Sequence, residues 1–204
     1  MKINKKKFIY LISPNKIYRS FYEDLKNILK NKKISFFQMR FKNYSFKKNV
    51  LLGKRIKKIC KKLKIRFLVN DNPLLAKKIN ADGCHLGQKD MNIINARKLL
   101  GKKIIGITCH NSLKLAKSAI KDGADYVAFG AFFSTKTKKV KYKANLRILK
   151  KLKISKNIPI VAIGGINNLN YKKLLLNKAD FLAISGYIWN NKKLKPPEAI
   201  KELK

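Results

Sequence analysis

Short apolar runs alternate with longer amphipathic stretches along the whole chain. Within the runs the apolar residues are nearly continuous, which is typical of strands buried on both faces of a parallel sheet. The longer stretches carry apolar residues at helical spacing and separate one run from the next. The eight strand-like runs are FIYLIS (8–13), SFFQM (35–39), RFLVN (66–70), DGCHLG (82–87), IIGIT (104–108), YVAFG (126–130), IPIVAIGG (158–165) and FLAISG (181–186).

The order of these elements predicts the fold. Strands that alternate with helices form a parallel sheet, and eight such units close into a barrel that leaves no exposed edge. A doubly wound open sheet is the main alternative, but no GxGxxG motif follows the first run. We therefore predict an α/β fold, a single (β/α)8 TIM barrel over residues 1–204 with no second domain. The helix-like segments are residues 21–31, 48–63, 92–100, 113–123, 145–152, 168–177 and 196–203.

The charge of the chain is its most unusual bulk property. Lys and Arg total 50 against 10 acidic residues, a formal net charge of +40. Such a charge is compatible with a nucleic-acid-binding protein. The lysines, however, are spread between apolar positions, and we find no basic tail and no RNA-binding signature. We interpret the charge as a compositional bias on exposed helix faces, with no specific nucleic-acid partner and non-specific adhesion to polyanions as a by-product.

The cysteines and the lengths of the apolar segments indicate the cellular compartment of the protein. Cys60, Cys84 and Cys109 form no CxxC pair and no ligand-spaced cluster with histidine, which favours a reducing environment. The first apolar run is too short for an export signal, and no segment reaches the roughly 18 apolar residues that span a membrane. We expect a cytoplasmic protein that does not associate with membranes. The sequence leaves the oligomeric state open, and a homo-oligomer is compatible with it.

Polar residues follow the strand-like runs, at the barrel end where this fold carries its chemistry. Gln38, Arg40 and Lys42 end the second run and alternate along it, so an extended backbone places them on one face. A fork-shaped guanidinium beside an ammonium group suits a pyrophosphate. The alternative is a solvated strand end in a lysine-rich chain.

Two carboxylates occupy the corresponding places after the third and fourth runs. Asp71 follows Asn70, and Asp90 closes the sequence HLGQKD. Mg²⁺ typically binds through one or two carboxylates together with substrate phosphates, so this pair predicts a Mg²⁺ cofactor. The alternative is that each aspartate caps the N-terminus of the helix that follows it.

Hydroxyl-bearing residues and glycines follow the later runs and suggest a second anion site. Thr108 ends the fifth run, Ser134 to Lys138 follow the sixth, Gly165 ends the seventh, and Ser185 and Gly186 end the eighth. The loops after strands seven and eight are the usual phosphate site of this fold, and glycine lets backbone N–H groups approach a ligand. A solvated loop and tight turns are the alternatives. One diphosphate site and one monophosphate site together favour group transfer from a diphosphate to a phosphorylated nucleophile.

The ordered motifs resemble the thiamine phosphate synthase family from about Phe8 to about Trp189. The family implies a (β/α)8 barrel that couples a hydroxymethylpyrimidine diphosphate to a thiazole phosphate and releases pyrophosphate. It also implies a dissociative reaction, in which pyrophosphate leaves before the thiazole nitrogen captures a pyrimidine-methyl cation. The matching stretches are FFQMRFK (36–42), LVNDNPLLA (68–76), ADGCHLGQKD (81–90), GITCHNS (106–112), GADYVAFGAFFSTKTK (123–138), IPIVAIGGI (158–166) and ADFLAISG (179–186).

The resemblance assigns roles by motif. Asp71 and Asp90 are expected to hold Mg²⁺. The pyrimidine diphosphate is expected to contact Gln38, Met39, Arg40, Phe41, Lys42, Asn70, Thr108 and Lys138, and the thiazole phosphate Thr135, Lys136, Thr137, Gly165, Ser185 and Gly186. Two departures matter: the serine of the last strand commonly lies one residue later than Ser185, and the basic stretch 139–145 replaces one rich in Gly and Pro.

Two other functions stay open at this point. The first is a thiazole tautomerase-like relative on the same barrel, which would need no pyrophosphate or Mg²⁺ site. Arg40, Lys42, Asp71 and Asp90 argue against it, whereas His110 favours it because that relative is thought to use a histidine near this position. The second is a non-catalytic polyanion-binding barrel, whose ligand affinity would survive the loss of both aspartates.

Overall fold

A computed structural model describes residues 6–135 and 140–204, with only the backbone described at Ser155. Within these residues, eight strands alternate with helices along the chain. The strands are β1 (Ile9–Ile12), β2 (Ile34–Met39), β3 (Arg66–Asn70), β4 (Gly83–Leu86), β5 (Ile104–Thr108), β6 (Tyr126–Gly130), β7 (Ile160–Ile163) and β8 (Phe181–Ile184). The helices are α1 (Phe21–Leu29), α2 (Phe46–Lys62), α3 (Pro73–Lys78), α4 (Ile93–Leu100), α5 (Leu113–Lys121), α6 (Arg147–Ser155), α7 (Tyr171–Leu176), α8 (Gly186–Trp189) and α9 (Pro196–Ala199), the last followed by a 3-10 turn (Ile200–Glu202).

The strands form a closed parallel barrel in sequence order. Each strand pairs with its neighbours along the chain, and β1 pairs in parallel with β8 to close the ring. The predicted (β/α)8 barrel is therefore confirmed, and each strand-like run corresponds to one strand. The prediction missed α3 and α8, because helices of six and four residues are too short to display helical periodicity.

The side chains of the strands divide between two apolar layers. Alternate residues point into the barrel, where Tyr10, Phe36, Leu68, Tyr126 and Phe181 belong to one buried cluster. The residues between them point outward and pack against the helices in a larger cluster. Burial on both faces explains why the strands read as continuous apolar runs.

Three aspartates close the amino-terminal end of the barrel in the same way. Asp82, Asp125 and Asp180 each precede an even-numbered strand. The carboxylate of Asp180 accepts a hydrogen bond from the backbone N–H of Ile160 at 2.8 Å, and the backbone N–H of Asp180 donates to the carbonyl of Ile160 at 2.9 Å. Asp82 and Asp125 make the same reciprocal pair of hydrogen bonds with residues at the starts of β3 and β5. At each of these three places, the aspartate side chain thus satisfies a backbone donor of the preceding strand.

Cations accompany two of these aspartates. The Nζ atom of Lys153 lies 2.9 Å from the carboxylate of Asp180. The guanidinium of Arg97 lies 2.7 Å from the carboxylate of Asp125 and also donates to three backbone carbonyls of neighbouring loops. We call this hydrogen-bonded amino-terminal end the base of the barrel. The candidate site lies at the opposite end, where the strands have their carboxyl ends.

None of the helices in the described part of the chain combines the length and the apolar composition that crossing a bilayer requires.

Candidate active site

A cavity of about 500 Å³ opens at the carboxyl ends of the strands. Its size lies within the range of sites for small molecules. Eight of the residues predicted from the sequence line it, and they come from both sides of the barrel. These are Arg40, Lys42, Asn70, Asp71, Thr135, Gly165, Ser185 and Gly186.

Opposite charges meet at the β2–β3 side of the cavity. The Nζ atom of Lys42 lies 2.9 Å from the carboxylate of Asp71, and both side chains are partly exposed. The backbone N–H of Arg40 donates to the hydroxyl of Ser13 at 2.9 Å, which fixes the strand end from which the guanidinium projects. Two cations and one carboxylate therefore face the same space.

Asp71 and Asp90 form a close carboxylate pair. Burial on its own raises the pKa of Asp71, but hydrogen bonds with Lys42 and Asp90 outweigh it and hold that pKa below the ordinary value. Burial and the neighbouring charge of Asp71 raise the pKa of Asp90, although the backbone N–H of Gly87 donates to its carboxylate at 2.6 Å. Two close carboxylates repel each other when both are ionised, and a shared proton or a bound cation relieves that repulsion.

Neither aspartate caps a helix, so the alternative role considered for both is wrong. The side chain of Asn72 caps α3 by accepting a hydrogen bond from the N–H of Leu75. Asn92 caps α4 through the N–H of Asn95. Both carboxylates therefore remain at the strand ends. Over residues 6–135 and 140–204, no group of three or more His, Cys, Asp or Glu side chains is assembled for a metal, so the candidate Mg²⁺ ligands are a pair.

The predicted segment 38–42 splits between two faces. Arg40 and Lys42 line the cavity, and Gln38 lies inside the barrel beneath it, with an exposed fraction of 2 %. The side chains of Met39 and Phe41 instead belong to the outer apolar layer between the barrel and its helices. Any contact of these two residues with a substrate is therefore left to their backbone groups.

The opposite side of the cavity is built from hydroxyls and backbone. Thr135 and Gly165 line it beside Ser185 and Gly186. A Cβ atom on Gly165 would lie 2.3 Å from the carbonyl oxygen of Ser134, and its φ of +63° favours glycine, so this residue lets the loops after β6 and β7 approach each other. The hydroxyl of Ser185 donates to the carbonyl of Ser13 at 3.0 Å. The predicted ligand contacts of Lys136, Thr137 and Lys138 lie outside the described residues.

A chain of buried polar side chains crosses the barrel interior below the cavity. The amide nitrogen of Gln38 donates to the hydroxyl of Tyr10, which lies 2.8 Å from the hydroxyl of Tyr126. The Tyr126 hydroxyl lies 2.8 Å from Nδ1 of His85, and Nε2 of His85 lies 2.9 Å from the hydroxyl of Thr108. Burial lowers the pKa of His85 to about 4, against the opposing effect of the Asp71 charge.

The sequence-based prediction included the two ends of this chain and missed its middle. Tyr10 and Tyr126 lie within apolar runs, where they read as core residues. The available signal was Gly106, a glycine inside a strand: a Cβ atom there would lie 1.9 Å from the ring of Tyr126. Gly106 therefore makes room for the tyrosine that connects the two halves of the chain.

His110 lies at the wall of the cavity. Its ring stacks on that of Tyr142, with centroids 4.3 Å apart. Tyr142 belongs to the basic stretch that departs from the family pattern, and its carbonyl accepts a hydrogen bond from the N–H of Ala131 in the loop after β6. Within the described part of this stretch, Val140, Lys141 and Tyr142 form part of the cavity wall.

The sequence and the fold match one family. A family model described as thiamine monophosphate synthase matches residues 9–188. The chain belongs to the thiamine monophosphate synthase family. A member from Pelagibacter ubique, named thiamine-phosphate synthase, is 67 % identical over 207 residues, which cover 100 % of both chains. A second, from Erythrobacter litoralis, is 40 % identical over 199 residues and covers 95 % of this chain and 93 % of that protein.

A solved structure extends the match to three dimensions. The family member described as thiamine phosphate pyrophosphorylase from Pyrococcus furiosus superposes with a TM-score of 0.86 at 30 % identity. The match covers 98 % of this chain and 94 % of that one. The family resemblance based on the ordered motifs is thus confirmed along almost the whole chain.

Proposed function

We propose that this enzyme couples hydroxymethylpyrimidine diphosphate to thiazole phosphate, giving thiamine phosphate and pyrophosphate. The observation that carries the proposal is a single cavity with two unlike anion-binding sides. Arg40, Lys42 and Asp71, the last paired with Asp90, occupy the β2–β3 side, and hydroxyls with glycine backbone occupy the β6–β8 side. Membership of the thiamine monophosphate synthase family supports the same reaction.

The diphosphate is assigned to the β2–β3 side. Arg40 offers a bidentate fork and Lys42 a mobile point charge, which together suit a diphosphate. Asp71 and Asp90 would hold Mg²⁺, because a close pair of hard oxygen donors, not used as helix caps, matches the ligands this ion takes beside phosphates. The bound ion would supply positive charge to the departing pyrophosphate.

The monophosphate is assigned to the β6–β8 side. Thr135 offers a hydroxyl, and the backbone near Gly165 and Gly186 lines the cavity where this fold usually binds phosphate. The Ser185 hydroxyl already donates to Ser13, so its backbone N–H is the group we assign to the ligand. Lys136 and Thr137 remain predicted contacts to the same phosphate.

The chemistry that follows is electrostatic. The C–O bond to the diphosphate breaks and its electron pair leaves with pyrophosphate, which Arg40 and Lys42 stabilise as its charge develops. The resulting pyrimidine-methyl cation is captured by the lone pair of the thiazole nitrogen, which forms the new C–N bond. Binding both substrates in one cavity places the nucleophile beside the cation and restricts competition from water.

The two alternatives fit the structure less well. A tautomerase-like relative has no use for the carboxylate pair beside Arg40 and Lys42, although His110 does line the cavity. A polyanion-binding barrel does not account for Asp71, a carboxylate that lines the cavity and pairs with Asp90. Among the described residues, the lysines that line the cavity are Lys42 and Lys141, and neither lies in a helix.

The test compares wild type with a variant carrying Asp71→Ala and Asp90→Ala. We expect thiamine phosphate formation to require both substrates and Mg²⁺, and to fall at least about a hundredfold in the variant, because several kcal/mol of charge stabilisation are lost. Single-turnover detection of thiamine phosphate by oxidation to a fluorescent thiochrome measures this. Titration of Mg²⁺ by calorimetry in the presence of pyrophosphate reports the loss of metal binding separately.

The matched control carries Glu23→Ala and Asp122→Ala, which remove the same charge at two positions that do not line the cavity. It should retain wild-type turnover. Undiminished turnover in the variant lacking both cavity aspartates would exclude the Mg²⁺ assignment. Absence of thiamine phosphate from the wild-type enzyme would exclude the proposed reaction.

A further inference from the structure

Each hydrogen bond in the buried chain from Gln38 to Thr108 needs one donor and one acceptor. Assigning them in order from Gln38 gives the direction in which the hydrogens of the chain point. The Gln38 amide nitrogen donates to Tyr10, so the Tyr10 oxygen is an acceptor and its single hydrogen is available to the Tyr126 oxygen. The Tyr126 hydrogen is then available to Nδ1 of His85. Because Nδ1 accepts, the proton of the neutral imidazole lies on Nε2, which donates to the hydroxyl of Thr108.

The direction of the chain determines whether the groups at its two ends can still donate or accept a hydrogen bond. The Thr108 oxygen accepts from His85, so its hydroxyl hydrogen is left to donate outward. At the other end, Gln38 uses one N–H of its amide within the chain, so its amide oxygen is left as an acceptor beside the second N–H. The β2 end of the chain thus presents an oriented amide, and the β5 end presents a hydroxyl donor.

The geometry that maintains this direction is rigid. Both tyrosines are only 1 % exposed, and Gln38 is 2 % exposed, so water does not compete for their hydrogen bonds. The two tyrosine rings pack edge to face with centroids 5.9 Å apart, and the His85 ring stacks on Tyr126. A buried hydroxyl with both neighbours fixed has little freedom to reverse its hydrogen.

We propose that Tyr10 and Tyr126 are positioning residues: Tyr126 fixes the Nε2–H tautomer of His85, so that Thr108 acts as a donor, and Tyr10 orients the Gln38 amide. This inference rests on the proposed function and on the sequence-based expectation that Gln38 and Thr108 contact the pyrimidine diphosphate. Neither tyrosine touches the substrate in this scheme. Each acts through the residue beside it.

The experiment is nitrogen NMR of the full-length enzyme labelled with ¹⁵N-histidine. The chain has two histidines, and a His110→Gln sample assigns their signals. Couplings to the ring protons distinguish Nδ1 from Nε2. We expect wild-type His85 to show a protonated Nε2 and an unprotonated Nδ1. We expect Tyr10→Phe to keep that tautomer, because Tyr126 still donates, and Tyr126→Phe to give a mixture of both tautomers.

Activity provides the second readout. Loss of one buried hydrogen bond is worth about tenfold in kcat/KM, so Tyr126→Phe and Tyr10→Phe should each lose about that much. Tyr171→Phe is the matched control: it makes the same change at a buried tyrosine outside the barrel interior and should match wild type in tautomer and in rate.

Several outcomes would overturn the inference. A protonated Nδ1 in wild type reverses the direction of the chain. An unchanged tautomer in Tyr126→Phe, or a rate no lower than in Tyr171→Phe, removes the positioning role. If Tyr126→Phe does not fold, the wild-type and Tyr10→Phe spectra still decide the direction. A wild-type enzyme that makes no thiamine phosphate contradicts the proposed function but leaves the tautomer result intact.

Discussion

Replacing Asp180 with alanine tests whether the hydrogen-bonded base of the barrel stabilises the fold. The substitution leaves the backbone N–H of Ile160 without its acceptor at a residue that is 0 % exposed. Burying such an unpaired donor costs about 1–3 kcal/mol. The ion pair with Lys153 is also lost, and because it is partly exposed it adds only about 0.5–1 kcal/mol.

We therefore expect Asp180→Ala to lower the free energy of unfolding by about 3 kcal/mol. For a chain of this size that corresponds to about 6–12 °C in Tm. Asp180→Asn keeps an oxygen that can accept from Ile160 and loses only the charge, so it should cost about 1 kcal/mol. Urea unfolding followed by circular dichroism measures both, and thermal unfolding gives the Tm.

Asp122→Ala is the matched control. It removes the same charge from an aspartate that receives one long hydrogen bond, 3.4 Å from the Ser118 hydroxyl. The control separates the local effect from the added repulsion in a chain of net charge +40. Unfolding of Asp180→Ala and Asp122→Ala at the same urea concentration would contradict the stabilising role of Asp180. So would an Asp180→Asn variant that is as unstable as Asp180→Ala.

Two further predictions concern the site. Gly106→Ala forces a methyl group against the ring of Tyr126, so it should destabilise the enzyme by about 1–3 kcal/mol in urea unfolding and reduce turnover as well; a stability equal to wild type would contradict the packing. Lys42→Gln removes a hydrogen bond that lowers the pKa of Asp71, so that pKa rises and the acidic limb of the kcat/KM profile moves to higher pH. Lys47→Gln, the same change at an exposed helix position, should leave the profile in place, and an unmoved limb in both variants would contradict the coupling.

The sequence predicted the barrel because burial on both faces leaves a signal that needs no long-range information. Each strand is a short, mainly apolar run, and each predicted run corresponds to one strand of the structure. The same logic predicted that Arg40 and Lys42 share a face, since alternation along a strand is local. Both side chains do line the cavity.

The middle of the buried polar chain depends on residues distant in the sequence and was not predicted. Tyr10 and Tyr126 are 116 residues apart in the chain, and only the closed barrel brings their hydroxyls within 2.8 Å. Asp71 and Asp90 were weighed as helix caps, because a sequence does not reveal that Asn72 and Asn92, each within two residues, take that role. The repeated Ala-Asp before strands four, six and eight was a usable signal for the barrel base, since a recurring acid in a lysine-rich chain requires a reason.

The scarcity of acids clarifies what the charge of +40 means. Among the 10 acidic residues, Asp82, Asp125 and Asp180 secure the base, and Asp71 and Asp90 meet at the mouth. Half of the acids therefore lie where a specific donor or cation requires one. A field this positive attracts phosphorylated substrates to the whole surface and repels a free divalent cation. The carboxylate pair opposes that repulsion locally, so the proposed Mg²⁺ site gains more from its two aspartates here than it would in a neutral protein.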